Sequence, residues 1–245
     1  MDDFDAMAEA AHEAGIKVIV DIVPNHTADK HVFFQEALAA EPGSPRATAT
    51  SSATAAASTA NCRPTTGNPS SAPGLGARAD GQWYLHLFDK AQPDVNWKNP
   101  DIHEEFKKTL RFWSDHGTDG FRIDVAHGLA KDLESKPLEE LGREYSVVGV
   151  LNHDFSHPLF DRREVHDIYR EWRKVFNEYN PPRFAVAEAW VVPEHQHLYA
   201  SMDELGQSFN FDFAQANWYA DEFRKAIAAG LRRRPKPAAP PPRGS

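Results

Sequence analysis

Two short apolar stretches that each end on a carboxylate constrain this chain most: Gly120-Phe121-Arg122-Ile123-Asp124-Val125 and, further on, Ala185-Val186-Ala187-Glu188-Ala189-Trp190. A strand of a parallel sheet is buried on both faces and reads as a near-continuous apolar run. A charge at its last position therefore points into a site rather than into the core. Arg122 and Asp124 are two apart, so on a strand their side chains share a face.

Helical patterns separate these strands. Phe4, Met7, Ala8 and Ala11 recur at helical spacing, Gly15 supplies a stop, and Val18 to Val23 reads as a buried strand closed by Pro24. Asn99-Pro100 predicts an N-cap and first helical residue; Ile102, Phe106, Leu110 and Trp113 line one face of the helix, and Gly117 ends it. Asp161 with Glu164 predicts a capping-box start for a helix carrying Val165, Ile168, Trp172 and Val175, which Asn180-Pro181-Pro182 terminates. Phe184 to Ala189 is the next strand, a weaker one covers Phe209 to Phe213, and a helix follows from Ala216 to Ala229. Strands alternating with helices imply right-handed βαβ units and a parallel sheet.

The 245 residues are 41% hydrophobic, enough for one sizeable domain. A net charge of −9 spread along the chain argues against nucleic acid or an anionic membrane as partner. Cys62 is the only cysteine, which excludes an internal disulfide framework and a thiolate metal cluster. Nothing near Met1 resembles a signal peptide and no apolar run spans a bilayer, so a cytoplasmic location is expected; the oligomeric state is not legible.

Two stretches break the pattern. Residues 44–80 are dominated by Ala, Ser, Thr, Pro, Gly and Arg and cannot build a core. They read either as a low-complexity linker or as the product of a shifted frame in a GC-rich gene. The Arg-Pro-Ala-rich tail, residues 231–245, has the same character.

The chemistry follows from the strand ends. A guanidinium beside Asp124 would keep that carboxylate ionised and oriented, as a nucleophile requires. Glu188, between apolar residues and next to Trp190, is expected to have a raised pKa suited to a general acid. An ion pair fixing strand register would account for Arg122 and Asp124 alone; the second strand-end acid favours the catalytic reading. Asp21, Asn25 and His26 close the first strand, where polar side chains could face a ligand, although a histidine there could equally bond backbone and Asn25 could cap the turn.

Four segments in order, Asp21-Ile22-Val23-Pro24-Asn25-His26, Gln92-Pro93-Asp94-Val95-Asn96, Gly120-Phe121-Arg122-Ile123-Asp124 and Glu188-Ala189-Trp190, resemble the signature segments of the α-amylase family of glycoside hydrolases. The form of the second is similar to the α-glucosidase and oligo-1,6-glucosidase branch, and the resemblance covers residues 1–43 and 81–230. It implies an α/β fold, part of a (β/α)8 TIM barrel. Residues 1–43 would supply a helix and the third strand, residues 81–230 the fourth to sixth strands, and residues 44–80 a degraded insertion domain ahead of a disordered tail. It also implies cleavage of α-1,4 and α-1,6 glucosidic bonds of short oligosaccharides, with Asp124 as nucleophile and Glu188 as acid/base. Asp21, His26 and Arg122 would serve substrate binding. Val125 resembles enzymes that accept α-1,6 links, and His127 lies one position out of register with a family histidine.

The same resemblance implies no cofactor. Asn25 matches a calcium ligand of many amylases, yet no metal is expected in this branch. A family transglycosylase, such as a trehalose synthase or sucrose isomerase, would use the same residues. A third family carboxylate belongs to an Asn-His-Asp segment after the acid/base, but Asn152-His153-Asp154 precedes Glu188 and is expected to serve a turn or cap. The isolated chain is accordingly expected to be an inactive fragment, a non-catalytic remnant or binding protein being the alternative.

Overall fold

The computed structural model describes residues 1–40, 52–53, 74–77, 83–134 and 152–232. Four parallel strands form the sheet that positions the site: β1 (Ile19–Ile22), β5 (Gly120–Ile123), β6 (Phe184–Ala187) and β7 (Gly206–Ser208), side by side in that order. Their partners are in register from Ile19↔Gly120 to Ile22↔Ile123 and from Gly120↔Phe184 to Ile123↔Ala187, so their C-terminal ends lie level. Between β1 and β5 the chain makes an excursion in which β2 (Ser52–Ala53) and β3 (Gly74–Ala77) pair antiparallel with β4 (Trp83–His86). Of residues 44–80, these two strands alone are described; the remainder, and the tail past Arg232, lie outside the described residues.

The helices follow the expected chemistry with one exception. Helix α1 (Asp2–Glu13) leads into β1, α2 (Val32–Ala39) follows it, and α3 (Pro100–Asp115) begins where Asn99 accepts the Asp101 N–H at 2.9 Å. Gly117 ends α3 at φ 91°, a conformation that glycine adopts without steric cost. The capping box at Asp161 is not formed. Helix α4 spans Val165–Phe176 and has no side-chain cap, because both oxygens of Asp161 are taken by His195 and Tyr199. Asn152 braces the loop before it, donating to the Phe160 and Asp161 carbonyls.

The second correction concerns the fourth strand. It is Gly206–Ser208, upstream of the expected Phe209–Phe213, and residues Phe211–Ala214 form the short helix α6. Pairing with β6 ends where Phe209 donates its N–H to Ala187, and Asn210 then caps α6, so local apolar alternation loses to ladder and cap. Helix α5 (Gln196–Tyr199) precedes this strand, and the last helix, α7, runs Ala220–Arg232 rather than from Ala216.

The core lies between the sheet and α3 and α4. Helix α4 buries Val165, Ile168, Tyr169, Trp172, Val175 and Phe176 on one face, and Leu110 of α3 is fully covered. Phe121 of β5 stacks on Phe176 at 5.6 Å. Each such side chain contributes about 1.5–3 kcal/mol on burial. This packing fixes the strands whose ends carry the polar residues.

Candidate active site

Arg122 organises the strand ends. It sits on β5 opposite Asp21 of β1 and beside β6, and its guanidinium reaches a carboxylate from each of three adjacent chain segments. One terminal nitrogen pairs with Asp21 and with Asp124 Oδ1 at 2.8 Å; the other donates to Glu188 Oε2 at 2.9 Å. Backbone bonds continue the ladder past the strands: Asp124 N–H to Ile22 carbonyl, Glu188 N–H to Ile123 carbonyl and Ala126 N–H to Glu188 carbonyl, each 2.9 Å. Asp124 and Glu188 therefore meet at the same end of one sheet, each bound by a different terminal nitrogen of one guanidinium.

The electrostatics differ from the sequence expectation. Burial, the hydrogen bond to Glu188 and that group's charge push the Asp124 carboxyl up to about 6, more than the Arg122 guanidinium pulls it down. Burial pushes Glu188 upward too, but hydrogen bonds from Asp124, the Val125 N–H and the Trp190 indole, with the charge of Arg122, leave it below the ordinary glutamate value. The expected rise of Glu188 is not found, and Asp124 is raised rather than held low, although at about 6 it is still largely ionised at neutral pH. Donors to Glu188 brought in by tertiary structure are the cause. Val125 aims its N–H at Glu188 Oε2 (3.2 Å) from a backbone φ of 47°, a left-handed conformation disfavoured for a β-branched residue.

His26 stands apart from that guanidinium cluster. Its ring nitrogens are 3.3 Å from Asn25 Nδ2 and 3.0 Å from Gln92 Nε2, and its ring lies 5.0 Å from Phe88. Burial lowers its pKa against the opposing charge of Asp94. Asn25 is fully buried, and its Oδ1 accepts from Lys131 Nζ at 3.0 Å. The same ammonium bonds the Gly128 carbonyl at 2.7 Å and Asp94 Oδ2 at 3.0 Å. A Cβ on Gly128 would stand 2.8 Å from Asn25 Oδ1, so a side chain there would disturb this cluster. A calcium ion does not fit, since Lys131 already places a positive charge among these oxygens. Among the described residues no group of three or more His, Cys, Asp or Glu side chains is arranged to hold a metal.

Sequence reasoning passed over three contributors. Lys131 carries no local signal, because its partners Asp94 and Asn25 are remote in the chain. The Val125 N–H acts through backbone geometry. Trp190 was visible as a neighbour of Glu188, but its bond, indole Nε1 to Glu188 Oε1 at 3.2 Å, was not.

A parallel α/β sheet with carboxylates converging on one arginine at its C-terminal edge defines an enzyme-like site. The family described as "Alpha amylase, catalytic domain" matches residues 1–231, and the chain belongs to this family. It is by family a glycoside hydrolase, and its fold is part of the family's TIM barrel. It is 33% identical over 228 residues to the trehalose-6-phosphate hydrolase of Escherichia coli K12, covering 91% of this chain and 38% of that protein. It is 31% identical over 221 residues to an α-glucosidase of Culex pipiens, covering 86% and 37%. The isomaltulose synthase structure from Klebsiella sp. LX3 superposes with a TM-score of 0.74 at 22% identity, covering 95% of this chain and 42% of that one. The chain thus spans about two-fifths of the length of these proteins. Among the described residues no helix is long and apolar enough to cross a membrane.

Proposed function

We propose that this domain belongs to an enzyme that cleaves α-1,4 and α-1,6 glucosidic bonds of short oligosaccharides with retention of configuration. Asp124 is the nucleophile, Glu188 the acid/base, Arg122 and Asp21 the frame that holds them, and His26 a ligand for a sugar hydroxyl. The observation that carries this reading is the single guanidinium bridging Asp21, Asp124 and Glu188. With Asp124 raised to about 6 and Glu188 lowered, the pair near neutral pH is poised between one proton and none. Retaining hydrolysis needs one proton and one negative charge on such a pair.

In the first step Glu188 carries the proton of the pair. An Asp124 oxygen then bonds to the anomeric carbon while the glycosidic bond breaks, and Glu188 gives its proton to the departing oxygen. In the second step Glu188 takes a proton from water, whose oxygen bonds to the anomeric carbon as Asp124 leaves. Retaining pairs stand about 5–5.5 Å apart.

Acceptance of α-1,6 links rests on Val125 and Gln92. The test is hydrolysis of maltose and of isomaltose by the enzyme that carries this domain, with the anomer of released glucose followed by proton NMR. An α-anomer from both substrates supports the reading; an untouched isomaltose removes the α-1,6 part, and a β-anomer removes retention. The isolated chain should not turn over. Asn152 bonds the loop before α4 and Asp154 accepts the Ser156 N–H, which supports a turn role for the displaced Asn-His-Asp segment rather than that of the third carboxylate. Release of glucose by the purified chain would contradict this.

A further inference from the structure

Glu188 has two oxygens, and their surroundings differ. Oε2 accepts from Arg122 Nη2 at 2.9 Å and from the Val125 N–H at 3.2 Å. Arg122 is fixed by Asp21 and Asp124, and Val125 by its backbone, so neither donor can withdraw without disrupting the strand ends. Oε1 accepts from the indole Nε1 of Trp190 at 3.2 Å. An indole nitrogen donates and never accepts. The N–H therefore favours the ionised carboxyl, while the second lone-pair site of Oε1 stays open to a proton.

The indole is not loose. Its ring stacks on Phe211 with centroids 3.4 Å apart and planes at 15°, and Phe209 meets Phe211 edge-on at 5.8 Å. Phe211 opens α6, where Asn210 accepts the Phe213 N–H at 3.0 Å. A corner beyond β7 thus holds a donor against a carboxylate at the end of β6.

We infer that Trp190 is a positioning residue for Glu188: its indole N–H orients Oε1 and stabilises the ionised carboxyl, and the stack on Phe211 keeps the indole there. This rests on the reading of Glu188 as acid/base, which it extends by naming what restrains that group. Loss of that donor would favour the protonated carboxyl, so the β7–α6 corner tunes how readily Glu188 takes a proton.

The experiment is a carbon-13 NMR titration of side-chain carboxyl-labelled glutamate in the full chain carrying Asp124→Asn, which leaves Glu188 to titrate without its partner. Loss of one resonance in Glu188→Gln assigns the signal. Trp190→Phe retains a ring able to stack on Phe211 and removes only the N–H, and it should raise the Glu188 midpoint by about one pH unit. Phe211→Leu keeps the N–H but frees the indole, and should raise it by less. A midpoint unmoved or lowered in Trp190→Phe overturns the inference, since a packing role alone predicts no change. If that variant loses the parent's circular dichroism, Phe211→Leu decides, and an unmoved midpoint overturns the inference. Failure of the functional reading is separate: it would appear as Glu188→Gln retaining turnover in the whole enzyme, whatever the titration shows.

Discussion

Two clusters at the same edge of the sheet are built from the same materials and do opposite things. Around Arg122, three carboxylates share one cation, and the side chains keep 18–50% of their exposure. Around Lys131, one carboxylate and one amide share one cation, and the Lys131 and Asp94 side chains are 4% and 0% exposed. The Lys131 cluster balances its charges pairwise and closes itself off. The Arg122 cluster keeps access to solvent and carries surplus negative charge; partial burial and that charge raise the Asp124 carboxyl to about 6. Exposure and charge balance, not residue type, separate the open cluster, proposed to do chemistry, from the closed one.

The largest expected effect breaks the open cluster. Asp124→Asn in the enzyme that carries this domain should lower turnover on the order of 10⁴-fold, because an amide cannot form the glycosyl ester. Steady-state assay with maltose checks it, and activity near that of the parent would end the nucleophile assignment. In the closed cluster the corresponding change is structural. Lys131→Met leaves Asp94 charged, buried and unpaired, and should cost about 3–5 kcal/mol in urea unfolding. Lys131→Met combined with Asp94→Leu should recover much of that loss, because a buried pair can be replaced by packed apolar groups at little net cost. A single variant as stable as the parent would show that the pair is dispensable.

A pH series sharpens the contrast. The folded pKa of Asp124, about 6, lies above its ordinary value of 3.8. Its contribution therefore favours the folded state fully below the unfolded value and is lost as pH rises through about 6. Glu188 runs the other way, its contribution being lost as pH falls through its lowered value. Relative to the parent, Asp124→Asn should gain on the order of 1–3 kcal/mol between pH 4 and pH 7. Chemical denaturation at several pH values measures this, and a constant difference between the two proteins would refute it. The smallest effect lies at the surface. Arg111 and Glu178 form a short pair at 2.6 Å, yet their side chains are 40% and 45% exposed, and Glu178→Gln should cost under about 1 kcal/mol, diminishing with salt.

The parts legible in the sequence were those set by local rules. Helix α1, the buried faces of α3 and α4, the Asn99 cap, the Gly117 stop and three of the four parallel strands follow from periodicity and capping chemistry within a few residues, although Met7 of the face read for α1 is exposed. The spacing of Asp161 to Glu164 satisfies a capping box, while its actual partners, His195 and Tyr199, lie at the start and end of the later helix α5. The strand near Phe209 was misplaced because the choice between strand and helix there is made by hydrogen bonds to β6, which local alternation does not encode.

The sequence by itself determined which carboxylates end the strands, that Arg122 shares a face with Asp124, and, through four ordered segments, the family. Only the tertiary structure decided how protons are distributed between those carboxylates. It brings the Val125 N–H and the Trp190 indole to Glu188 and none of these donors to Asp124, so the two pKa values move apart in the direction opposite to that read from neighbours in sequence. It likewise decided that Lys131 stands among the oxygens of Asn25, Gly128 and Asp94. The reason is physical: a charge answers to its surroundings within a few ångströms, and which donors stand there is set by how strands and loops far apart in the chain come together.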